Sequence, residues 1–300
     1  MVCFQQQSAM AKKTDPENNP LPLSLSFSGS GFLALYQIGA VKALLDLAPE
    51  ILKAAPKVYG ASAGSLVAAA VVFNVNLDEL QQIISDAANQ ARKSILGPFY
   101  PSFNLHTIIK ETLPRFVPEN AHHLASGRLH VALTRLSDGK TILVSDFNSK
   151  EEVIQALICS CFVPFYCGLV PPSFRGVRYI DGGLSNFQPF YDLQSTITVS
   201  PFTGEIDICP RDCPVGHLCL HIFNTSFQLS VQNLCRVSYS LFPPPPYVLN
   251  DFYYQGYKDS ILYLIKHGKQ RLYLGDQKNI NVALKNEDIK LRQHETVLVK

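Results

Sequence analysis

The spacing of hydrophobic residues near the start of the chain changes from the period of a strand to that of a helix. Apolar and polar residues alternate from Leu23 to Ser28 (LSLSFS), which predicts a β-strand. Glycines follow directly, and apolar residues then recur at helical spacing from Ala34 until Pro49 ends the segment. The first unit is therefore a strand, a glycine turn and a helix.

A second unit repeats this order. The apolar stretch from Lys57 to Tyr59 predicts a short strand, and it runs into the sequence GASAG at residues 60–64. The following SLVAAAVVF is rich in small residues and predicts a helix that packs closely against its neighbours. Ser62 is thus expected on a tight turn between a strand and a helix.

Helix starts and a hairpin are marked further along the chain. Asn76 followed by Glu79, and Ser149 followed by Glu152, predict helix N-termini with capping-box chemistry. Between these helices, LHVALTRL and TILVSDF flank the sequence SDGK at residues 137–140, which predicts a β-hairpin.

Two later strands complete the pattern. VRYI leads into Asp181, and STITVS occupies residues 195–200. Strands that alternate with helices favour a parallel or mixed sheet that is covered on both faces. We therefore expect an α/β fold.

Composition divides the chain into four segments. Residues 1–22 are polar and rich in Pro and Asn and predict a disordered leader, and residues 23–242 form the main domain. Residues 243–268 contain a proline run and then a helix, and residues 269–300 form a polar, basic tail. The helix has an apolar stripe at Tyr257, Ile261 and Leu264.

Overall composition excludes several classes of protein. The chain has 300 residues, 47% of them hydrophobic, and can bury a large core. A net charge of +2 is too small for a general nucleic-acid binder. The apolar windows are shorter than the ~20 residues that span a bilayer, so membrane contact should be peripheral. Eight unevenly spaced cysteines without a secretory signal favour reduced thiols and a cytoplasmic location.

One cluster of cysteines and histidines could suggest zinc. Its spacing lacks the paired C-x2-C element of common structural zinc sites, so we expect no metal. The cluster consists of Cys209, Cys213, His217, Cys219 and His221.

The chemistry-bearing motif is G-x-S-x-G, formed by Gly60, Ser62 and Gly64. Between a strand and a helix, this motif makes a sharp turn that projects the serine hydroxyl above the sheet edge. The following helix directs its positive N-terminal end toward developing negative charge. Ser62 is therefore the candidate nucleophile, against the alternative of a simple glycine-rich turn.

A second glycine-rich loop contains Gly29, Ser30 and Gly31 at the end of the first strand. Glycines allow backbone N–H groups to converge on an anion, as an oxyanion hole requires. A structural tight turn is the alternative.

The same loop also fits the dinucleotide fingerprint G-x-G-x-x-A, with Ala34 as the last position and Asp46 or Glu50 as a ribose ligand. These acidic residues fall in or just after the helix rather than at the end of a second strand. A nucleotide cofactor would also leave Ser62 and Asp181 unexplained. We therefore expect no cofactor.

The candidate base is Asp181 in the sequence Asp181-Gly182-Gly183 at a strand end. A free aspartate has a pKa of about 3.9 and is a weak base, so partial burial and a direct hydrogen bond to Ser62 must increase its basicity. A Ser-His-Asp triad is the alternative, with the histidines that follow Asp181 as its third member. These are His217, His221 and His267, none of which lies in a recognisable catalytic loop.

In this order, the glycine loop, G-x-S-x-G and D-G-G resemble the patatin-like phospholipase family. The likeness runs from about Leu23 to Gly268. Longer segments such as LTRLSDG, VSDFNSKEE, SCFVPFYCGL and PPSFRGVRYIDGG are similar to the animal subgroup that contains the adipose triglyceride lipase and adiponutrin. The chain departs from the family pattern at Ala34, where a third glycine is usual.

The resemblance implies an α/β/α sandwich around a mixed, mainly parallel sheet, with residues 23–242 as the catalytic domain. It implies Ser62 as nucleophile, Asp181 as general base and the loop at residues 29–31 as the oxyanion loop, without metal or cofactor. With this resemblance, the apolar stretch at residues 161–166 (CFVPFY) is expected to form part of an acyl pocket or a lipid-facing rim, with core packing as the alternative. The implied activity cleaves fatty acyl esters of acylglycerols and passes the acyl group to water or a lipid alcohol. Alternatives are a transacylase that esterifies hydroxylated ceramides and a catalytically weak lipid-binding or lipid-droplet protein.

The resemblance also implies where the protein works. Lipid esters are the expected substrates, and the expected location is the cytoplasm, with peripheral association to membranes or lipid droplets. A protein co-activator is a further expected partner. Nucleic acid is not.

Overall fold

The computed structural model of the chain describes residues 22–93, 103–212, 219–223 and 225–268. Strands and helices alternate as expected through the first part of the chain. The elements up to residue 160 are β1 (Ser24–Phe27), α1 (Ala34–Leu47), α2 (Pro49–Ala54), β2 (Val58–Ala61), α3 (Ala63–Phe73), α4 (Leu77–Ala91), α5 (Leu105–Phe116), α6 (Ala121–Ala125), β3 (Leu129–Arg135), β4 (Thr141–Val144) and α7 (Lys150–Ser160).

The second part contains the remaining strands and two helices. These elements are β5 (Ser173–Phe174), β6 (Val177–Asp181), β7 (Thr196–Val199), β8 (Cys219–Ile222), β9 (Thr225–Gln228), α8 (Val231–Leu241) and α9 (Pro246–Gly268). The predicted strands at 23–28, 57–59, 177–180 and 195–200, the hairpin of β3 and β4 and the helices at α1, α3, α4, α7 and α9 are confirmed.

The main sheet is mixed and mainly parallel, and helices flank it. Its strand order is β5-β6-β3-β2-β1-β7, with β4 paired to β3 outside this path. Strands β7, β1, β2 and β3 run parallel, whereas β4 and β6 run antiparallel to β3. A separate two-stranded sheet is formed by β8 and β9. The predicted α/β fold with a mixed, mainly parallel sheet is confirmed.

The alternating pattern of β1 reflects two buried faces rather than one buried and one solvated face. All four residues of β1 are buried, and Leu25 and Phe27 belong to the hydrophobic core. On the other face, Ser26 Oγ donates a hydrogen bond of 2.6 Å to Pro189 O and accepts one of 2.8 Å from Gln188 Nε2. Irregular chain therefore covers this part of the sheet and satisfies its polar side chains.

Helix capping follows the predicted residues with shifted partners. Asn76 Oδ1 accepts from the Asp78 N–H at 2.9 Å, one residue before the predicted Glu79. Ser149 Oγ accepts from the Glu152 N–H at 3.2 Å, and Glu152 Oε2 accepts from the Asn148 N–H at 2.9 Å. Both predicted helix starts are confirmed, although the first is not a capping box and the second returns its hydrogen bond one residue early.

Helix α9 packs along α1 as part of the same core. The predicted stripe at Tyr257, Ile261 and Leu264 is buried. Tyr36 Oη donates a hydrogen bond of 2.6 Å to Asp259 Oδ2, and both residues are buried between the two helices. The proline run ends at Pro246, the first residue of α9. A boundary between residues 242 and 243 stays a prediction, and the packing shows that α9 and α1 fold against each other.

Two features of the described residues bear on metal and membrane binding. Within the described ranges, no group of three or more His, Cys, Asp or Glu side chains is arranged to hold a metal ion. Cys213 and His217 of the sequence cluster lie outside those ranges. None of the helices in the described part of the chain is long and apolar enough to cross a membrane.

The substitution Tyr36→Phe tests the contact between α1 and α9. It leaves the buried Asp259 Oδ2 without the hydroxyl that it accepts from, while Gln255 Nε2 still donates to Oδ1 at 2.9 Å. We expect the free energy of unfolding to fall by ~1–3 kcal/mol, because a buried acceptor loses its partner. Denaturant or thermal unfolding measures this loss. Tyr247→Phe, at an exposed tyrosine of the same helix, is the matched control and should change nothing.

Candidate active site

Strand β3 brings the two candidate catalytic residues together along one of its edges. Leu133 pairs with Ile142 of β4 and also with Asp181 of β6, so β4 and β6 lie on opposite edges of β3. Ala132 pairs with Ala61 of β2 and with Leu143 of β4, so β2 also lies opposite β4. Strands β2 and β6 therefore share an edge.

The two strands approach each other along that edge. Strand β2 runs parallel to β3 and ends opposite Ala132, whereas β6 runs antiparallel and ends opposite Leu133. Their C-terminal ends meet between adjacent residues of β3. Ser62 follows β2 directly and Asp181 is the last residue of β6, so the sheet register itself places them side by side.

The backbone of Ser62 adopts the sharp turn that the motif predicts. Its φ is 53° and its ψ is −133°, in a region that residues with a side chain rarely occupy. A Cβ on Gly60 would lie 2.4 Å from Gly64 O, and a Cβ on Gly64 would lie 2.2 Å from Ser28 O. The flanking glycines are therefore required by close backbone approach, and they let the turn pack against β1.

Two further serines hold this turn. The Ser62 N–H donates to Ser160 Oγ at 3.0 Å, and Ser160 Oγ donates to Ala132 O at 2.8 Å. Ser65 Oγ donates to Ser62 O at 2.6 Å. Ser160 is fully buried at the end of α7. Sequence reasoning did not find it, because no motif surrounds it and only the fold brings α7 to this turn.

The candidate nucleophile, Ser62, and the candidate base, Asp181, are in direct contact. Ser62 Oγ donates a hydrogen bond of 2.5 Å to Asp181 Oδ2, and the Gly183 N–H donates one of 2.8 Å to Asp181 Oδ1. Gly182, between Asp181 and Gly183 in the sequence, packs against Ala132 O. Only 4% of Asp181 is exposed. Both carboxylate oxygens are therefore satisfied inside the protein.

Burial changes the basicity of this carboxylate. It raises the pKa of Asp181 from 3.8 to about 6, while the hydrogen bonds from Ser62 and from the Gly183 N–H oppose the rise. An aspartate with this pKa is still ionised at neutral pH and is a better proton acceptor than a free one. The predicted increase in basicity has a structural cause in desolvation.

Among the described residues, no histidine forms a hydrogen bond with Ser62 or Asp181. The oxygen of Ser62 already bonds the carboxylate directly. His221 is exposed and lies 3.9 Å from Glu205, and the ring of His267 contacts Tyr263 O on α9. His217 lies outside the described residues. The geometry supports a two-residue arrangement.

The backbone N–H groups of the glycine loop differ in whether they have a hydrogen-bond acceptor within the protein. The Gly29 N–H donates to Phe187 O at 2.9 Å and is not free for an anion. Within the described part of the chain, the N–H groups of Ser30 and Gly31 donate to no acceptor. Gly31 has a φ of 51° and lies against Ser240 O of α8. In the predicted oxyanion loop, the N–H groups of Ser30 and Gly31 are therefore available to an anion, whereas the Gly29 N–H is used within the protein.

Gln37 fixes the conformation of this loop from α1. Its Nε2 donates to Ser28 O at 2.9 Å, and its Oε1 accepts from Ser30 Oγ at 3.1 Å. Gln37 is fully buried. A buried glutamine with both ends bonded to one loop restrains that loop. The sequence pattern placed this residue on the predicted helix and gave no signal of its contacts.

Ser62, Asp181 and the glycine loop all line one cavity, which has a volume of about 840 Å³. One wall follows α3, whose Ala63, Leu66, Ala69 and Phe73 recur at helical spacing from Ser62. Apolar side chains of α4 and α5 face this wall. Side chains of α8 and the β8-β9 sheet also line the cavity. The size and the apolar walls suit a lipid chain.

The stretch at residues 161–166 has a divided role. Cys161, Val163 and Tyr166 line the cavity, whereas Phe162 is buried and Phe165 is 80% exposed. Both predicted roles are therefore present, core packing at one residue and cavity lining at others.

The dinucleotide alternative does not fit this loop. Asp46 forms an ion pair of 2.8 Å with Lys42 of the same helix, and Glu50 lies in the first turn of α2. Neither is at the end of a strand beside the glycine loop. The cavity on the loop is walled by apolar side chains, which do not match a ribose or phosphate.

The sequence of the chain is similar to those of several known proteins. Residues 25–193 match the model of the patatin-like phospholipase family. The chain is 49% identical over 252 residues to the omega-hydroxyceramide transacylase of Homo sapiens, covering 84% of the chain and 47% of the relative. It is also 49% identical over 245 residues to patatin-like phospholipase domain-containing protein 2 of Homo sapiens, covering 82% and 49%.

A third relative is the 1-acylglycerol-3-phosphate O-acyltransferase PNPLA3 of Homo sapiens. Identity is 46% over 245 residues, covering 82% of the chain and 51% of the relative. The chain thus spans about half the length of these relatives. The segments FSGSGFL, DICPRDCP and DFYYQGYKD also suggest a particular likeness to patatin-like phospholipase domain-containing protein 1. Similar identities to several members support the animal subgroup, and the finer assignment stays a prediction.

The substitution Asp181→Asn tests the burial of this carboxyl group through stability. Its pKa is higher in the folded than in the unfolded chain, so its contribution to stability is present below about pH 4 and is lost as pH rises through about 6. We expect Asp181→Asn to be more stable than the parent by up to ~3 kcal/mol above pH 6 and similar to it near pH 4. Thermal unfolding from pH 4 to pH 8 measures both variants.

The matched control is Asp138→Asn. Asp138 is exposed, and its hydrogen bond from Arg135 lowers its pKa, so the sign is reversed and the variant should not gain stability above pH 6. A parent protein whose stability relative to Asp181→Asn does not depend on pH would contradict a buried, ionised Asp181.

Proposed function

The chain belongs to the patatin-like phospholipase family, and from this premise we propose that it is a serine acyl hydrolase or transacylase of lipid esters. Ser62 is the nucleophile and Asp181 is the general base. The observation that carries the proposal is the hydrogen bond of 2.5 Å from Ser62 Oγ to Asp181 Oδ2 on the wall of a large apolar cavity.

Acylation uses this hydrogen bond directly. Ser62 Oγ attacks the ester carbonyl carbon while its proton passes to Asp181 Oδ2, and the negative charge that develops on the carbonyl oxygen is stabilised by the Ser30 and Gly31 N–H groups. When the tetrahedral intermediate collapses, Asp181 returns the proton to the leaving alcohol. The products are an acyl-Ser62 ester and a lipid alcohol.

Deacylation repeats the steps with a new acceptor. Water or another alcohol gives its proton to Asp181 and attacks the acyl-Ser62 carbonyl, and Ser62 leaves with that proton. Water yields a fatty acid, and a lipid alcohol yields a new ester. Asp181 is ionised at the start of each half-reaction, as its pKa of about 6 allows at neutral pH.

The wall along α3 suits the acyl chain. Its cavity-facing residues begin next to Ser62 and end at Phe73, and an 11-residue helix is about 16 Å long. A fatty acyl group bound to Ser62 would lie along this wall between α3, α4 and α5. We propose acylglycerols as acyl donors because the cavity offers apolar walls and no charged wall residue except the catalytic Asp181 among the described residues.

The part of the cavity next to α8 and the β8-β9 sheet leaves room for an acceptor lipid. It is lined by apolar residues of α8 and the β8-β9 sheet, so a second chain can bind there while the first stays on Ser62. Two relatives are named for a transacylase and an acyltransferase, which favours acyl transfer to a lipid alcohol as a second candidate activity. A hydroxylated ceramide is one such alcohol.

Some parts of the proposal concern the location and partners of the protein. Peripheral association with membranes or lipid droplets in the cytoplasm would place the cavity beside its substrates. A co-activator is a further proposed partner. A catalytically weak lipid-binding protein is the alternative from another class, and the satisfied contact between Ser62 and Asp181 favours the enzyme.

Loss of the hydroxyl in Ser62→Ala tests the proposal. We expect ester cleavage to fall by about 10³-fold or more, since both half-reactions need the nucleophile. Fluorophosphonate labelling should disappear with it. Ser195→Ala, at a partly exposed serine before β7, is the matched control and should be labelled and active. A purified protein that neither labels nor releases acyl product from mixed acylglycerols, phospholipids and ceramides would be a lipid binder instead.

Enlarging one alanine on α3 tests the acyl site. Ala69 faces the cavity about 10 Å along the helix from Ser62. We expect Ala69→Phe to shift preference from long to short acyl chains, and Ala69→Leu to do so to a smaller degree, because each fills the far part of the wall. Competition between esters of different chain length measures this. Val71→Phe, which lies outside this wall, is the matched control, and an equal shift in that variant would contradict the placement.

A further inference from the structure

Helix α8 exposes its apolar side rather than burying it. Val231, Leu234, Val237 and Leu241 recur every three or four residues and form one stripe. All four are exposed, and Val231 and Leu234 are 76% and 68% exposed. A surface helix of a globular protein normally turns such a stripe to the core.

The polar side of the same helix faces inward. Asn233 is 3% exposed, accepts from the Thr203 N–H at 2.9 Å and donates to Gln228 O. Arg236 forms a bidentate ion pair with Asp212 at 2.6 and 2.9 Å, and this pair is largely buried. Arg236 is the only charged residue of α8. These contacts fix the rotation of the helix about its axis. Its one charged side chain therefore points inward, and its apolar stripe points outward.

A neighbouring loop extends the exposed apolar surface. Tyr166 Oη donates a hydrogen bond of 2.7 Å to Leu241 O, which joins the loop at residues 165–170 to the end of α8. Leu169 and Val170 in this loop are 78% and 71% exposed. The stripe of α8 and this loop are called the apolar rim below.

The apolar rim is continuous with the catalytic cavity. The four stripe residues of α8 also line that cavity, as do the exposed Ile222 and Phe223 of the β8 end. The same side chains therefore face both the solvent and the space above Ser62. A molecule that enters from this side meets these apolar side chains first.

We propose that the apolar rim docks on a lipid surface, so that the cavity opens directly into the lipid phase. This inference rests on the proposed function for the nature of the substrate, and it names the entry side and the residues that insert. An exposed apolar patch of this kind marks a protein or membrane contact. Continuity with a lipid-sized cavity selects the lipid surface over a second copy of the chain or another protein.

Helix α8, which carries part of the apolar rim, also contacts the glycine loop. Ser240 O of α8 lies against Gly31, where a Cβ would be only 2.0 Å away. Movement of α8 on insertion would therefore be felt at one of the two oxyanion donors. Docking and catalytic geometry share this contact.

Tryptophan fluorescence tests the docking directly, because the chain contains no tryptophan. In Leu234→Trp, phosphatidylcholine vesicles should shift the emission to shorter wavelength, and brominated lipid should quench it. Leu193→Trp is the matched control. Leu193 precedes β7, at the end of the sheet opposite to Ser62, and is 51% exposed. An unshifted Leu234→Trp, or a shift that depends on protein concentration without vesicles, overturns the proposal in favour of no contact or of self-association.

A second experiment separates docking from catalysis. In Leu169→Asp/Val170→Asp the two exposed loop residues become charged, and neither lines the cavity. We expect vesicle binding in a sedimentation assay to weaken about tenfold or more, with an equal loss of activity on emulsified long-chain ester. Hydrolysis of p-nitrophenyl butyrate in solution should not change. Leu193→Asp should leave all three measurements unchanged, and unweakened vesicle binding by the loop variant overturns the proposal.

Ser62→Ala distinguishes failure of this inference from failure of the proposed function. It should bind vesicles as the parent does, because docking does not use the hydroxyl. A parent that binds vesicles through the rim but cleaves no ester contradicts the proposed function and supports the docking surface. A parent that cleaves soluble ester but does not bind vesicles supports the function and overturns the docking surface.

Discussion

The edge of β3 that β2 and β6 share is the constraint on which the site depends. Ala61 and Asp181 pair with adjacent residues of that edge, so the distance between Ser62 and Asp181 is set by strand register. A slip of one residue in β6 would turn the carboxylate to the other face of the sheet. The packing of Gly182 against Ala132 O holds the register where β6 ends. The relative position of the two candidate catalytic residues is therefore set by hydrogen bonds between strands rather than by loop conformation.

The site is also locally unfavourable, and the surrounding structure supports it. Ser62 has a backbone conformation that residues with a side chain rarely adopt, and Asp181 is a carboxyl group removed from water. Ser160 and Ser65 bond the backbone of Ser62, and Ser62 and the Gly183 N–H satisfy the carboxylate. Both features would assist the proposed proton transfer, because the turn exposes the Ser62 hydroxyl and desolvation raises the pKa of Asp181.

Sequence reasoning reached the parts of this site that local chemistry determines. A glycine-flanked serine between a strand and a helix, and an aspartate at a strand end before two glycines, have signatures that can be read along the chain. Ser160 and Gln37 have none, because their partners are distant in sequence or depend on the path of the loop. The alternating pattern of β1 was sufficient to predict a strand, but whether Ser26 meets solvent or Gln188 depends on a segment far along the chain. Helix α5, which lines the cavity, was not predicted, although its apolar residues recur at helical spacing and Asn104 caps its N-terminus.

The physical state of the proposed substrate relates the cavity to the surface around it. An enzyme that acts on a dissolved molecule can close its apolar cavity under a polar surface, but a lipid ester has to leave a lipid phase to enter. Polar side chains at the entrance would have to be desolvated each time, whereas Val231 and Leu234 present no such barrier. Exposing them costs free energy in water, and the inward ion pair of Arg236 with Asp212 prevents α8 from rotating to hide them. In the proposed docking, the orientation of α8 therefore lowers stability in water but leaves an apolar path from the lipid phase to the cavity.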